Sequence, residues 1–450
     1  MKKLIRVLCA VFIATVMMSC LYLPASAVSI DWNNIKLESL VDIMNSYVET
    51  SDSLLEDGQY CMRGFAVSPD GRFAFGVFLN PNSTAAMNVI DLETALPVAC
   101  YVHEQTEGGR GYPKGIAVDD RGYVYVGEAY YPNYGSVDYA ILSYSDKGEL
   151  TEMGFYNAIT DGTPGDQNGT KLGVNGVEVV KLDGKYYMYM VINYDWSRLY
   201  RFDVTDVKAP KLDTSFGTGG FVDLKNVHSM TTAQYLDVDT DGTIYIGATT
   251  TSDSGVYVLS SDGMTLLNSA ACKKGYAVAL WEDYIFVSTQ SGPTCVNVFD
   301  KVTLQPVSTI ECHDGANSYV YLAVVNDVLY VGDQGSGNAD YDSIVVAPLS
   351  DAGKKIISDR KAAYAAALET TPADTTTAAP KDTTTPAPKD TTTPAPDDST
   401  TAPKDTTTAA PKDTTTAGKS EKSGCGSAVA LGLVACIIPA AAIIVKKKKD

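Results

Sequence analysis

The stretch Lys114-Gly-Ile-Ala-Val-Asp-Asp-Arg-Gly-Tyr-Val-Tyr-Val-Gly127 decides how this chain is read. An apolar run stops at Asp119-Asp-Arg-Gly122 and resumes as Tyr-Val-Tyr-Val. Glycine supplies the positive φ of a tight turn, and β-branched and aromatic residues on either side favour extended chain, so the segment reads as a β-hairpin. The pattern recurs along the chain. Arg63 to Gly76 turns at Ser68-Pro-Asp-Gly71, Asn175 to Gly184 leads into Lys185 to Ile192, and Gln234 to Gly247 turns at Asp239-Thr-Asp-Gly242. Two more degenerate copies run from Gly275 through Trp281 to Val287, and from Tyr319 through Asn326 to Gly332.

Each copy is followed by a second strand pair. Examples are Met87 to Thr94 before Pro97 to Val102, and Gly255 to Leu259 before Thr265 to Ala271. Six groups of four short strands predict an all-β fold, a six-bladed β-propeller of four-stranded blades over residues 28–369. A sandwich or solenoid should show neither this spacing nor this grouping. The repeat resembles six-bladed propellers of the NHL and YVTN type over about 300 residues. That resemblance implies architecture and leaves function open, because propellers host binding, hydrolase, lyase and lactonase activities.

Closing the ring needs a device. Leu40 to Val48 stands where an outermost strand would, and the preferred reading adds it to blade six beside Ser343 to Leu349. Two readings compete. Leu37, Leu40, Val41, Met44, Tyr47 and Val48 also make a helical stripe, and Lys354 to Asp359 can serve as blade six's own outer strand.

The two ends place the chain. Basic Met1 to Arg6, apolar Val7 to Met18 and Ala25-Ser26-Ala27 read as a secretory signal peptide over residues 1–27; a lipoprotein site at Ser19-Cys20 fits less well. Residues 370–423 repeat Asp-Thr-Thr-Thr between Ala-Pro and Lys, a composition that cannot build a core and reads as an extended stalk. Residues 424–450 hold an apolar run, Ala428 to Val445, before Lys446 to Lys449. At about 1.5 Å per residue the run reaches roughly 27 Å, enough for one membrane helix with its lysines in the cytoplasm. Gly424-Cys425-Gly426 with the helix and basic end resembles bacterial C-terminal sorting signals. The expectation is a single-pass cell-surface protein with its propeller outside. Its 54 Asp and Glu against 35 Lys and Arg leave a net charge of −19, a field that repels phosphate and argues against nucleic acid as a partner.

Candidate site residues follow from the repeat. Alignment on the turns puts Arg63, Lys114, Asn175, Gln234, Gly275 and Tyr319 at the starts of the innermost strands, around the channel mouth. Two bases and two amides there can grip an anion or polar ligand. On the same face, the loops from second to third strand carry Glu128, Tyr130, Tyr131 and Tyr134 in blade two, Tyr194, Asp195 and Trp196 in blade three, and Asp333 and Gln334 in blade six. Aromatic rings beside polar groups suit a sugar or peptide. Asp237, Asp239 and Asp241 before Gly242 mimic the start of a calcium loop, but the closing Glu is missing and the segment also aligns with ordinary hairpin turns. No cofactor is expected; Ca2+ is the cation this turn pattern would allow. His103, His228 and His313 follow blades one, three and five, a weak hint of a metal.

Cys61, Cys100, Cys272, Cys295 and Cys312 fall in the head; Cys295 and Cys312 lie on consecutive strands, and buried free thiols compete with a bond between them. No Gly-x-Ser-x-Gly elbow, His-Glu-x-x-His, phosphate loop or dinucleotide fingerprint is present. The expected role is binding of an extracellular glycan or protein through this face. The alternatives are a metal-dependent hydrolase, lyase or lactonase, and a wall scaffold.

Overall fold

The computed structural model describes residues 30–42, 61–79, 84–104, 112–129, 137–157, 172–194, 197–249, 254–289, 295–311, 319–333 and 343–370. The segments read as signal peptide and stalk, and the apolar run 428–445, lie outside the described residues. Among the described residues no helix is long and apolar enough to cross a membrane.

Six antiparallel sheets follow one another along the chain. Blade one is β2 (Cys61–Val67), β3 (Phe73–Leu79), β4 (Thr84–Asp91) and β5 (Leu96–Glu104). Blade two is β6 (Tyr112–Val118), β7 (Tyr123–Ala129), β8 (Val137–Tyr144) and β9 (Leu150–Asn157). Blade three opens with β10 (Leu172–Leu182), β11 (Lys185–Tyr194) and β12 (Arg198–Asp203). Its outer position is shared by β13 (Lys211–Leu212) and β14 (Phe221–Asp223), both paired to β12, and a short helix α1 (Leu224–His228) follows. Blade four is β15 (Ala233–Val238), β16 (Ile244–Ala248), β17 (Gly255–Leu259) and β18 (Leu266–Ala271). Blade five is β19 (Gly275–Trp281), β20 (Tyr284–Thr289), β21 (Cys295–Asp300) and β22 (Pro306–Glu311). Blade six has β23 (Tyr319–Val325), β24 (Val328–Asp333) and β25 (Ser343–Pro348) from its own segment.

The fourth strand of blade six is β1 (Glu38–Asp42), antiparallel to β25 with Glu38 opposite Val346 and Asp42 opposite Ser343. N-terminal closure is therefore the observed one, beginning slightly earlier than expected. Lys354 to Asp359 is not a strand: it lies within α2 (Asp351–Thr370), a helix the strand-dominated reading missed. This helix fastens the seam. Ile357 is buried with Leu40 and Leu92. Arg360 donates to Tyr330 Oη of blade six and to Gly71 O of blade one, and Tyr364 donates to Leu92 O. Lys361 pairs with Glu38 on the closing strand at 2.8 Å.

The core lies between blades. Phe75, Val77, Met87, Ile116 and Val124 cluster between blades one and two, and comparable clusters fill the other interfaces. Blade six shows how the strands serve two interfaces at once. Val328 and Tyr330 join the cluster with blade one, whereas Leu329 and Val331 join the one with blade five. Successive side chains of a strand point to opposite faces, so a sheet covered on both sides needs an unbroken apolar run, here Val-Leu-Tyr-Val. The hairpins close as read: Gly71 sits at φ 75°, donates to Ser68 O at 2.7 Å, and Ser68 Oγ accepts from Phe73 N at 2.8 Å.

Candidate functional site at the channel mouth

Every innermost strand carries a β-bulge at the same point. Arg63 is the extra residue between Met62 and Gly64, Lys114 between Pro113 and Gly115, and Asn175 between Val174 and Gly176. In blade four Gln234 and Tyr235 share one partner position, in blade five Tyr276 and Ala277 do, and in blade six the extra residue is Val320. A bulge takes its residue out of the ladder and re-aims it, here toward the upper end of the channel, where the inner strands begin. The register corrects the turn-based alignment: Tyr319 and Gly275 each stand one residue before the mouth position, which belongs to Val320 and Tyr276.

The glycine after each bulge in the first three blades has a packing reason. A Cβ on Gly64 would lie 2.0 Å from Lys114 O, and one on Gly176 2.9 Å from Gln234 O, so neighbouring inner strands touch there. In blades four and six the register puts Tyr235 and Tyr321 in the place of those glycines. Their rings lie 4.9 Å apart, and the Tyr276 ring lies tilted beside Tyr235 at 5.3 Å. Tyr235 Oη donates across the ring to Arg63 O at 2.7 Å, and Tyr321 Oη to Met62 O at 3.3 Å. Three tyrosines thus stand between the upper mouth and the space below.

Four of the expected mouth residues come together. Lys114 Nζ donates to Asn175 Oδ1; Asn175 Nδ2 donates to Gln234 Oε1 at 2.8 Å; Gln234 Nε2 donates to Thr249 Oγ1 at 2.7 Å. All the hydrogen bonds of this chain run in one direction, from cation to hydroxyl. Asn193 Nδ2 anchors it by donating to Ala233 O at 2.9 Å. Asn175 is 2% exposed. Desolvation, and then the charge of Arg63, lower the Lys114 ammonium to about 7. Glu128 is buried close by, its backbone opposite Pro113.

Tyr130, Tyr131, Tyr134, Asp195, Trp196 and Gln334 lie outside the described residues. The backbones of Tyr194, Tyr319 and Asp333 end or begin strands at this same upper end. The calcium-loop candidates do not converge. Asp237 accepts from Val238 N and Leu280 N at 2.7 and 2.8 Å, Asp239 pairs with Lys301, and Asp241 accepts from Thr243 N at 2.8 Å. Asp239 and Asp241 serve the hairpin turn, with Gly242 N donating to Asp239 O at 2.8 Å. Among the described residues no group of three or more His, Cys, Asp or Glu is placed to hold a metal. His228 is engaged with Gly263 O at 2.9 Å.

The lower end was not foreseen. Below the tyrosines the inner strands line a cavity of about 430 Å³ to which two acidic residues, Glu178 and Asp237, contribute. Burial raises both, Asp237 to about 6, and the charge of Asp237 adds to the rise of Glu178. The signal was in the sequence: Glu178 interrupts the run Val177-Glu178-Val179 on an inner strand.

No family model and no curated protein matches the chain. Solved structures that resemble it include a structural-genomics protein of unknown function from Bacteroides thetaiotaomicron VPI-5482, 13% identical, covering 70% of this chain and 76% of that one at a TM-score of 0.45. A protein of unknown function from Bacteroides caccae is 12% identical, covers 62% of this chain and 84% of its own, at 0.38. The Dos1 propeller is 12% identical, with 64% and 78% covered, at 0.40. The six-bladed architecture rests on the sheet order itself.

Proposed function

We propose that the chain is a cell-surface propeller that binds an extracellular glycan or protein through the upper face, seating an anionic or strongly polar group of the ligand at Arg63 and Lys114. The observation that carries this reading is the pair of cations at the bulged mouth, in front of the Asn175–Gln234–Thr249 chain. A carboxylate or sulfate arriving there would restore full charge to Lys114, so binding and protonation favour each other. The aromatic residues Tyr130, Tyr131, Tyr134 and Trp196 belong to loops expected on this face. The seam helix α2, which leads toward the Thr/Pro stalk and the membrane run, lies against the hairpin turn at Gly71, on the opposite face.

A glycan and polysaccharide array on residues 28–370 tests the reading, with Lys114→Met and a Tyr130/Tyr131/Tyr134/Trp196 alanine variant in parallel. Retention of acidic glycans that both variants lose is the expected result. Retention indifferent to Lys114, or none on any surface, removes the mouth as the glycan site.

The enzyme reading draws on one observation, the raised carboxyls Glu178 and Asp237 in the lower cavity, which suit general acid–base work. Chelator-sensitive turnover lost in Asp237→Asn would favour a metal-dependent hydrolase, lyase or lactonase over simple binding.

A further inference from the structure

The groove between blades four and five holds two thiols that the channel does not use. Cys272 follows β18 and caps the turn into blade five, where Gly275 N donates to Cys272 O at 2.9 Å. Cys295 opens β21 in the next blade. Both are free thiols, and both face one nitrogen. Asn297 Nδ2 lies 3.4 Å from Cys272 Sγ and 3.7 Å from Cys295 Sγ, so the two sulfurs flank one amide nitrogen across the blade interface. Thr289 Oγ1 holds the Cys295 backbone, accepting from its N at 3.2 Å and standing 3.8 Å from its sulfur. The groove itself is a cavity of about 660 Å³ lined by Cys272, Cys295, Asn297, Thr289, Lys273 and Lys274 among others. That volume admits a tripeptide-sized reagent. Cys272 is buried, and burial followed by the neighbouring Cys295 pushes its thiol up to about 12; Cys295 is half-buried and opens on the groove.

We propose that Cys272 and Cys295 form a thiol–disulfide exchange site, oxidised to an inter-blade disulfide by organic disulfides such as glutathione disulfide. The half-buried Cys295 reacts first. Its thiolate attacks one sulfur of the reagent, the S–S bond breaks, and a glutathione thiolate leaves and takes up a proton. The Cys272 sulfur, losing its own proton, then attacks Cys295 Sγ, closing the protein disulfide and releasing the second glutathione. The protein gives up two protons and two electrons, and the reagent leaves as two thiols. The bond would tie the exit of blade four to the third strand of blade five, across the cluster in which Cys272 packs with Val256, Val278 and Phe299. The sequence left Cys295 either a buried free thiol or bonded to Cys312, which lies outside the described residues; the register puts Glu311 opposite Cys295, and Cys272 shares Asn297 Nδ2 with it from the neighbouring blade.

The test uses the full chain, purified reduced in detergent and incubated with glutathione disulfide. Free thiols are then blocked under denaturing conditions, and the digest is mapped by mass spectrometry. The expected result is a Cys272–Cys295 linked peptide with loss of alkylation at both positions. Cys272→Ser should arrest the reaction with glutathione attached to Cys295, and Cys295→Ser should leave Cys272 fully alkylatable. A Cys295–Cys312 linkage, or full alkylation of Cys272 and Cys295 in a chain with native circular dichroism, overturns the proposal. So does glutathione held at Cys295 in the unsubstituted chain without passage to Cys272.

Discussion

The two ends of one channel differ in every respect that bears on binding. The upper end is cationic and polar, built from Arg63, Lys114, Asn175 and Gln234 on bulges. The lower end is a cavity lined by the inner strands and by two acids, Glu178 and Asp237. The same strands supply both: β10 carries Asn175 and Glu178, and β15 carries Gln234 and Asp237. Burial shifts the titration at both ends but in opposite senses, since it disfavours whichever form is charged. A ring of repeated strands can thus make two unlike sites without changing its backbone plan, provided something separates them. Here that is the tyrosine trio.

The comparison breaks most sharply at Tyr235. Tyr235→Ala removes a ring that is in contact with Tyr276 and Tyr321 and leaves Arg63 O without its donor. A loss of about 4 kcal/mol is expected, measured as a lower urea midpoint, and probes entering the lower cavity should then reach the mouth.

The next effect is at Lys114. Its folded value near 7 lies below the ordinary Lys value, so between these two pH values the unfolded chain holds a proton that the folded chain has lost. Stability should therefore rise from pH 7 toward 10. Allowing for solvent at the mouth, the rise over that span is about 3 kcal/mol, and Lys114→Met should abolish this part of the slope in urea titrations at several pH values. Anion retention by the unsubstituted chain should weaken over the same span.

The lower end should tilt the other way. Asp237 has a folded value near 6, above the ordinary 3.8, so between these the folded chain keeps a proton that the unfolded chain has released. Stability should fall as pH rises from 4 to 6, by roughly 2 kcal/mol. Asp237→Asn should shrink that limb, leaving the part that the raised Glu178 carboxyl contributes, and leave the Lys114 limb in place; loss of both limbs together would show that the two ends are not separate.

The smallest effect belongs to Asn175→Ala. It removes a donor from Gln234 Oε1 and one acceptor from Lys114, at a cost of about 1–2 kcal/mol. Anion retention should change more than stability does, which a binding titration beside an unfolding curve would show.

Much of this was legible in the chain. The hairpin motif with its turn Asp and Gly is local chemistry, and repeating it six times leaves few architectures. The residue before each Gly in Arg63-Gly, Lys114-Gly and Asn175-Gly was correctly drawn to the mouth, because a glycine at which neighbouring strands touch marks the spot. Blades four, five and six lack that Gly; alignment on the turns held in blade four and slipped by one residue in the other two. Asp239 and Asp241 follow the hairpin-turn alternative read from the sequence, for a physical reason. Alternate residues of a strand share a face only while the strand continues, and this one turns at Asp239. Helix α2 went unread because its alanine-rich exposed face carries little apolar period; its place depends on Tyr330, Gly71 and Leu92, which are distant in sequence.

By itself the sequence determined the strand pairs, their turns, their number and an excess of acid over base, since each follows from neighbours within a few residues or from composition. Tertiary structure alone decided which strand closes the ring, which tyrosines divide the channel, and that Lys114 and Asp237 lose their ordinary titration. These depend on desolvation and on contacts between residues far apart in the chain, and both arise only once six blades close around a common axis.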